Sequence, residues 1–472
     1  MKQGKEAPII DYDAYRDTIG TVDESGHRKW MYPKKPKGRL HTYRAIVAVI
    51  LLIGLFSGPF LRINGEPMFL FNLLERKFII FGLTFWPQDF HLFALALVTF
   101  FVFIILFTVA FGRVWCGWAC PQTIFMEMVF RKIEYWIEGD APKQRKLSRQ
   151  EWDTEKISKR VLKYTIFAII SFFIGNLVMA YMVGTDELSK IITEGPSENM
   201  GNFTFVLIFS GLFFFVFSYL REQACIAICP YGRLQGVLLD KDSVVVAYDK
   251  VRGETRGRFR KKEDRKATGK GDCIDCSLCV QVCPTGIDIR NGTQLECVNC
   301  TACIDVCDEV MDKVGYEPGL IRFASMNNIE QGKTFKYTPK MVAYTVVLVG
   351  LLGFLSFSLS TRSDVEATIQ RAKGTFYTME EDGNVSNLYN LQVVNKTQQD
   401  FPLTIKVMNL ENGEVTIIGK ELNILARDIT KRPFFVKLPP ESLDGMKTKI
   451  VLGVFSGDKE LDKVKTTFLG PM

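Results

Sequence analysis

Five long runs of apolar residues, each bounded by charged or polar positions, dominate the chain, at about 44–61, 91–112, 161–183, 203–220 and 341–360. A helix rises about 1.5 Å per residue, so roughly twenty apolar residues cross the hydrocarbon core of a bilayer. The runs therefore predict five spanning helices. A further apolar stretch, 67–88, is interrupted by Glu75, Arg76 and Lys77, which predicts an interfacial or re-entrant piece with Trp86 at the boundary. Beyond the last span, a polar connection from Arg362 to Glu380 leads into LYNLQVVNKT, FPLTIKVM, PFFVKLP and KIVLGVF, separated by Asn, Gly, Pro and Asp turns. Short alternating strands with turn signals predict a β-sandwich.

The position of the charges says more than their total. The net charge is +7, but the lysines and arginines lie beside the apolar runs, which speaks for orientation in lipid and against nucleic acid as a partner. The loop after the second run holds Arg113, Arg131, Lys132, Lys143, Arg145, Lys146 and Arg149, whereas the loop after the third sets Lys190 against Asp186, Glu187, Glu194 and Glu198. The positive-inside rule places the first loop in the cytoplasm and the second outside. The same assignment puts the tail with Lys34, Lys35, Lys37 and Arg39 in the cytoplasm, together with the basic run RGETRGRFRKKEDRK, and the sandwich outside. No short apolar core follows the first methionine, so the tail does not read as a cleavable signal. The expected division is a cytoplasmic tail (1–43), a transmembrane bundle (44–240), a cytoplasmic insertion (241–335), the last span (336–362) and an extracytoplasmic sandwich (375–472).

The chain has twelve cysteines, none after Cys307, and eight of them form a tandem repeat. Cys273, Cys276, Cys279 and Cys283 follow C-x2-C-x2-C-x3-C, and Cys297, Cys300, Cys303 and Cys307 follow it again. This is the spacing of a ferredoxin-like segment holding two [4Fe-4S] clusters, in which the fourth thiolate comes from the other half of the repeat. The expected sets are Cys273, Cys276, Cys279 and Cys307 for one cluster, and Cys297, Cys300, Cys303 and Cys283 for the other. Zinc also uses CxxC pairs, but it has no use for a third and fourth cysteine at fixed offsets repeated twice. Cysteines grouped in this way argue for redox chemistry in a reducing compartment rather than a disulfide scaffold.

The other four form two equivalent pairs, Cys116 and Cys120 in VWCGWACP and Cys225 and Cys229 in ACIAICP, just after the second and fourth spans. Residues i and i+4 share a helix face, and the proline that follows ends or bends the helix. Four thiols at similar depth suit Cu(I) or an iron-sulfur centre, or a dithiol that cycles with a disulfide. The bland alternative is small apolar residues buried in a bundle, and the duplication weighs against it. His91 beside Asp89 is expected to anchor a helix end. Met179 and Met182 are expected to fill gaps, and Trp115 and Trp118 to be interfacial aromatics. With His27 and His41 in the tail, a bis-histidine haem in the bundle is not expected. No phosphate loop, dinucleotide fingerprint or nucleophile elbow is present.

The paired CxxxCP motifs, the double cysteine run, the last span and the segment VSNLYNLQVVNKT together resemble the FixG, RdxA or CcoG family of cytochrome c oxidase accessory proteins. The resemblance implies a multi-pass bacterial inner-membrane protein with two [4Fe-4S] clusters and an immunoglobulin-like periplasmic domain. It also implies a role in assembling cbb3-type oxidase, with reduction of Cu(II) to Cu(I) as the activity. Its partners would be membrane lipid, oxidase subunits or copper chaperones, and a cytoplasmic or quinol electron donor. Cys116, Cys120, Cys225 and Cys229 would then be copper-contacting or relay thiols. Two competitors are a NapH-like quinol-oxidising relay, against which the sandwich counts, and a non-enzymatic assembly scaffold with structural or sensing clusters. One departure from many ferredoxins is Cys307-Asp308, where Cys-Pro is usual.

Overall fold

A computed structural model describes residues 21, 25 and 27–471, except 261–262, 266, 293, 333–336, 373, 375, 398, 411 and 420–421. Expectations placed on the tail before residue 21, on Lys261, Lys262 and Lys266 of the basic run, and on boundary positions 336 and 375 lie outside the described residues. Among the described residues five helices are long and apolar enough to cross a membrane: Arg39–Ser57, Pro87–Phe111, Thr154–Val183, Met200–Leu220 and Pro339–Ser360. Each corresponds to one of the five runs, the first ending at Ser57 rather than at 61. The third starts earlier than its apolar run because the carboxylate of Asp153 accepts from the Lys156 backbone N–H at 2.9 Å, capping a polar first turn.

The chain forms two compact units, one from the described residues of Met1–Gly82 with Phe93–Phe354, the other from Leu83–Leu92 with Leu355–Met472. In the first, the stretch at 67–88 proves to contain a β-hairpin. Phe69–Asn72 pairs antiparallel with Lys77–Ile80, and Glu75 and Arg76 occupy its turn, where the Asn72 side chain accepts from the Glu75 N–H at 3.0 Å. The charges that interrupt the apolar run are therefore a turn signal. The bundle core is aromatic, with Phe130 against Phe167 at 4.6 Å and stacked on Phe217 at 4.8 Å.

The cysteine repeat belongs to this same unit, so the insertion expected as a separate domain over 241–335 packs with the bundle. Strand Val245–Tyr248 pairs antiparallel with Ile321–Ala324, holding the two ends of the repeat together. Between them lie the short helix Leu278–Val282 and the longer Ala302–Val314.

The second unit is an all-antiparallel sandwich. One sheet has the order Glu414–Ile417, Ile429–Leu438, Val385–Asn395, Val365–Arg371, and the other Thr404–Val407, Lys447–Ser456, Lys459–Leu469. Alternate positions, among them Phe434, Val436 and Leu438 facing Ile450, Leu452 and Val454, fill a dry core. The Tyr389 hydroxyl crosses it to donate to the Thr467 carbonyl at 2.9 Å. The polar connection expected from Arg362 to Glu380 instead contributes the edge strand Val365–Arg371, which buries Val365, Ala367 and Ile369. Asn395, which opens an Asn-Lys-Thr triplet of the glycosylation type, is fully buried. In the same unit buried Asp89 accepts from Arg362 and from Lys396, both at 2.7 Å, and Lys396 also reaches Glu366 at 3.0 Å.

Candidate redox centre

The two halves of the cysteine repeat share one backbone design. Asp275 and Ser277 in the first, and Asn299 and Thr301 in the second, all have positive φ between 52° and 65°. They occupy the same offsets after Cys273 and Cys297. Non-glycine residues adopt this region at a cost that surrounding structure must offset; here it curls each loop so that three sulfurs face inward. The halves then diverge. Pro284 ends the first helix at Cys283, whereas Asp308 lets the second run on to Val314 and accepts from the Gly319 N–H at 2.7 Å. The departure noted in the sequence thus lengthens a helix and fastens the following loop.

Two cavities result. One is lined by Cys273, Cys276, Cys279 and Cys307 with Tyr248, Leu320 and Ile321. The other is lined by Cys283, Cys297, Cys300 and Cys303, with Cys279 on the shared wall. The two are alike in size, as two copies of one guest require. Burial pushes the Cys279 and Cys297 thiols up to about 12 and raises that of Cys303 well above its ordinary value, with neighbouring sulfurs adding to the effect at Cys303. Dry, closely grouped thiols become stable as thiolates only with a cationic guest. Among the described residues no three His, Cys, Asp or Glu side chains close on a single ion. A cubane is wide, and its four ligands stand further apart than those of one zinc. The all-sulfur donor sets and the loop geometry fit [4Fe-4S] clusters.

The CxxxCP pairs differ from the expected helical face. Cys116 lies in the short helix Val114–Trp118, but Cys120 is extended and caps the next helix, with Pro121 as its first residue. Likewise Cys225 lies in the wide turn Ala224–Ile228, and Cys229 is extended before Pro230 and helix Pro230–Leu238. The break falls at the second cysteine because the residue before proline is held out of the helical region, while proline suits a helix's first position. The two pairs lie within electrostatic reach of one another. Burial, reinforced by Cys120 and Cys116, pushes the Cys225 thiol up to about 12, and Cys116 is raised by burial with Cys120 and Cys229 as neighbours. The Cys116 thiol donates to the Gln235 side-chain oxygen at 2.9 Å, and Gln235 is further tied to Arg113 and Thr108.

The pairs also touch the cysteine repeat. Trp118 donates its indole N–H to the Asn299 carbonyl at 3.2 Å, so it is more than the interfacial aromatic expected. A Cβ on Gly117 would strike the Val298 carbonyl, so only glycine permits this approach. Cys225 shares a small cavity with Pro284, Thr285 and Val298.

Beneath that cavity lies a buried charge network with no counterpart in the sequence reading. Glu134 receives two bonds from Arg221, at 2.6 and 2.9 Å, and Lys163 bridges Glu134 and Glu138 at 3.6 and 2.9 Å. Arg131 links Glu127 at 2.5 Å and Glu222 at 3.4 Å. Burial raises the Glu134 carboxyl, but Arg221 and Lys163 outweigh it and hold the group at about 2. The spacing of Arg131, Glu134 and Glu138 along one helical face beside a span is the signal that could have found it.

The remaining sequence candidates are dispersed. His27 is exposed, His41 is partly buried at the start of the first span, and His91 lies exposed at the start of the second, with Nδ1 3.2 Å from the Gln88 carbonyl. Met179 is buried and lines an apolar cavity with Phe172, Phe203 and Val206, while Met182 is partly exposed.

Comparison with known proteins agrees with this architecture. A 4Fe-4S dicluster domain matches residues 220–326 and a 4Fe-4S binding domain matches 93–143. The IG-like fold found at the C-terminal of FixG matches 355–471. Two Cereibacter sphaeroides proteins are similar: RdxB, 32% identical over 87% of this chain and 89% of its own length, and RdxA, 35% identical over 78% and 80%. The nitrogen fixation protein FixG of Rhizobium meliloti is 31% identical over 87% of both chains.

Proposed function

The chain belongs to the FixG/RdxA family of membrane iron-sulfur proteins, and from that premise we propose that it is an inner-membrane oxidoreductase that reduces Cu(II) to Cu(I) for the assembly of cbb3-type cytochrome oxidase. In this reading Cys273, Cys276, Cys279 and Cys307 hold one [4Fe-4S] cluster, and Cys297, Cys300, Cys303 and Cys283 the other. The clusters supply one-electron chemistry. Cys116, Cys120, Cys225 and Cys229 receive the copper, for which converging thiolates are the preferred donors once it is monovalent. Each Cu(II) takes up one electron, and no covalent bond in the protein is broken. In the orientation that the positive-inside rule favours, the cysteine repeat faces the cytoplasm and the sandwich the periplasm, where it would meet oxidase subunits or a copper chaperone.

The observation that carries this reading is the contact of Gly117 and Trp118 with Val298 and Asn299. It sets the first CxxxCP motif against the loop of the second cysteine run, so that an electron leaving that cluster would reach these thiols next. The test is anaerobic mixing of dithionite-reduced, detergent-solubilised protein with Cu(II). Cu(I) should form as the paramagnetic signal of the reduced clusters disappears. Reduced clusters that persist beside unreacted Cu(II) would sink the assignment.

A further inference from the structure

A cleft of ≈430 Å³ in the first unit is walled by three separate segments: Lys29–Pro33, the helix end with Arg145, Ser148 and Arg149, and the cysteine repeat at Val280, Gln281, Cys283 and Gly286. Its charge is one-sided. Lys29, Arg145 and Arg149 line it, and among the described residues no Asp or Glu does. Its aromatic wall is held in place. Trp30 lies under the Arg28 guanidinium at 4.2 Å and edge-on to Tyr219, and the Tyr32 hydroxyl bonds Ser148 at 3.1 Å. The segment is pinned to the cysteine repeat by the Lys34 N–H, which donates to the Gln281 carbonyl at 2.7 Å. Gly286, at φ 74°, leaves no room for a side chain beside Met31. Cys283 lines both this cleft and the second cysteine cavity, so it is the partition between solvent-facing cleft and buried sulfur set.

We propose that this cleft binds a planar aromatic organophosphate of the flavin mononucleotide class and is where reducing equivalents enter the protein. The inference rests on the cluster reading above and adds the class of donor. Three cations on one wall suit a phosphate, two fixed rings suit a planar heterocycle, and the volume is that of a small-ligand site, roughly 300–1,000 Å³. The chemistry narrows the class further. A cluster accepts single electrons, which a hydride-donating nicotinamide does not deliver, whereas a reduced flavin releases electrons one at a time. A neutral quinol gains nothing from three cations. The anionic flavin hydroquinone gives up two electrons and one proton to become the oxidised flavin; each of the two clusters accepts one electron, and the proton passes to water.

The experiment uses the full chain in detergent and reads quenching of flavin fluorescence, which requires no cluster. Flavin mononucleotide should bind saturably and riboflavin, which lacks the phosphate, about tenfold or more weakly. The double variant Lys29→Glu/Arg149→Glu should lose that preference and leave riboflavin binding unchanged, which separates phosphate recognition from misfolding. Adenosine monophosphate should fail to displace the flavin. In cluster-loaded protein, photoreduced flavin mononucleotide should bleach the cluster absorbance faster in the parent chain than in the variant. Absent saturable binding, equal affinity for riboflavin, an unaltered variant or displacement by the adenine nucleotide would each overturn the proposal. Protein that binds the flavin but contains no iron or sulfide would overturn the cluster reading instead.

Discussion

The indole nitrogen of Trp118 lies 3.2 Å from the carbonyl oxygen of Asn299, joining the first CxxxCP motif to the residue between Cys297 and Cys300. Trp118→Phe keeps the ring and removes the donor, so unfolding stability should fall by ~1 kcal/mol. Gly117→Ala should do more, because its added carbon meets the Val298 backbone, which cannot rotate away; ~1–3 kcal/mol is expected for such overpacking. Thermal unfolding in detergent measures both. The paramagnetic spectrum of the reduced clusters should change in the alanine variant.

Crossed ligation has a distinctive signature. Cys283→Ser and Cys307→Ser remove the fourth ligand of different clusters, each from the repeat half opposite to the other three. Iron and sulfide should fall by about half in either variant, and the surviving spectra should differ from one another. Identical surviving spectra would refute the crossed arrangement.

Replacing Cys116, Cys120, Cys225 and Cys229 together by serine should leave iron and sulfide unchanged while abolishing Cu(I) formation, because hydroxyls are poor ligands for a soft cation. Retained copper reduction would show that the pairs are not the delivery site.

Glu134 is almost fully buried and faces Arg221 and Lys163. Glu134→Gln leaves two cations short of a carboxylate and should lower stability by ~3–5 kcal/mol. The pH dependence follows from the depressed carboxyl. Its contribution is complete above the ordinary value of 4.5 and is lost only as pH falls through about 2. A stability profile between pH 5 and 8 should therefore show no titration from this group, which a melting series in mixed buffers checks.

In the other unit, Asp89→Asn weakens the buried contacts to Arg362 and Lys396. Lys396 keeps Glu366, while among the described residues Arg362 keeps the Thr84 carbonyl and the Phe85 ring. A loss of ~3 kcal/mol is expected, seen as earlier proteolysis or melting of the sandwich with unchanged cluster content.

Most of this architecture was legible because the apolar runs and the cysteine offsets are both periodic, and period is what a linear sequence displays. The spans and the composition of both cysteine cavities follow from it. What escaped was set by tertiary contact. Val365–Arg371 alternates correctly but carries only three core residues, one of them alanine, so its polar half concealed the strand. The i, i+4 argument for the CxxxCP pairs assumed an unbroken helix, whereas Pro121 and Pro230 move the break back onto Cys120 and Cys229. Arg221, Glu222 and Arg131 read as the margin of a span, and their burial depends on carboxylates distant in sequence. The role of Trp118 requires knowing that the cysteine repeat folds back onto the bundle.

The cavity around Cys273, Cys276 and Cys279 is closed by Cys307, Leu320 and Ile321, all of which leave the ribosome after four of the five spanning helices. Its wall is thus completed late in synthesis, when the nascent chain is already tethered in the bilayer. On the proposed orientation, cofactor insertion would be a maturation event at a membrane-bound intermediate, and the machinery that delivers iron and sulfide would work at the membrane surface rather than on a freely diffusing precursor.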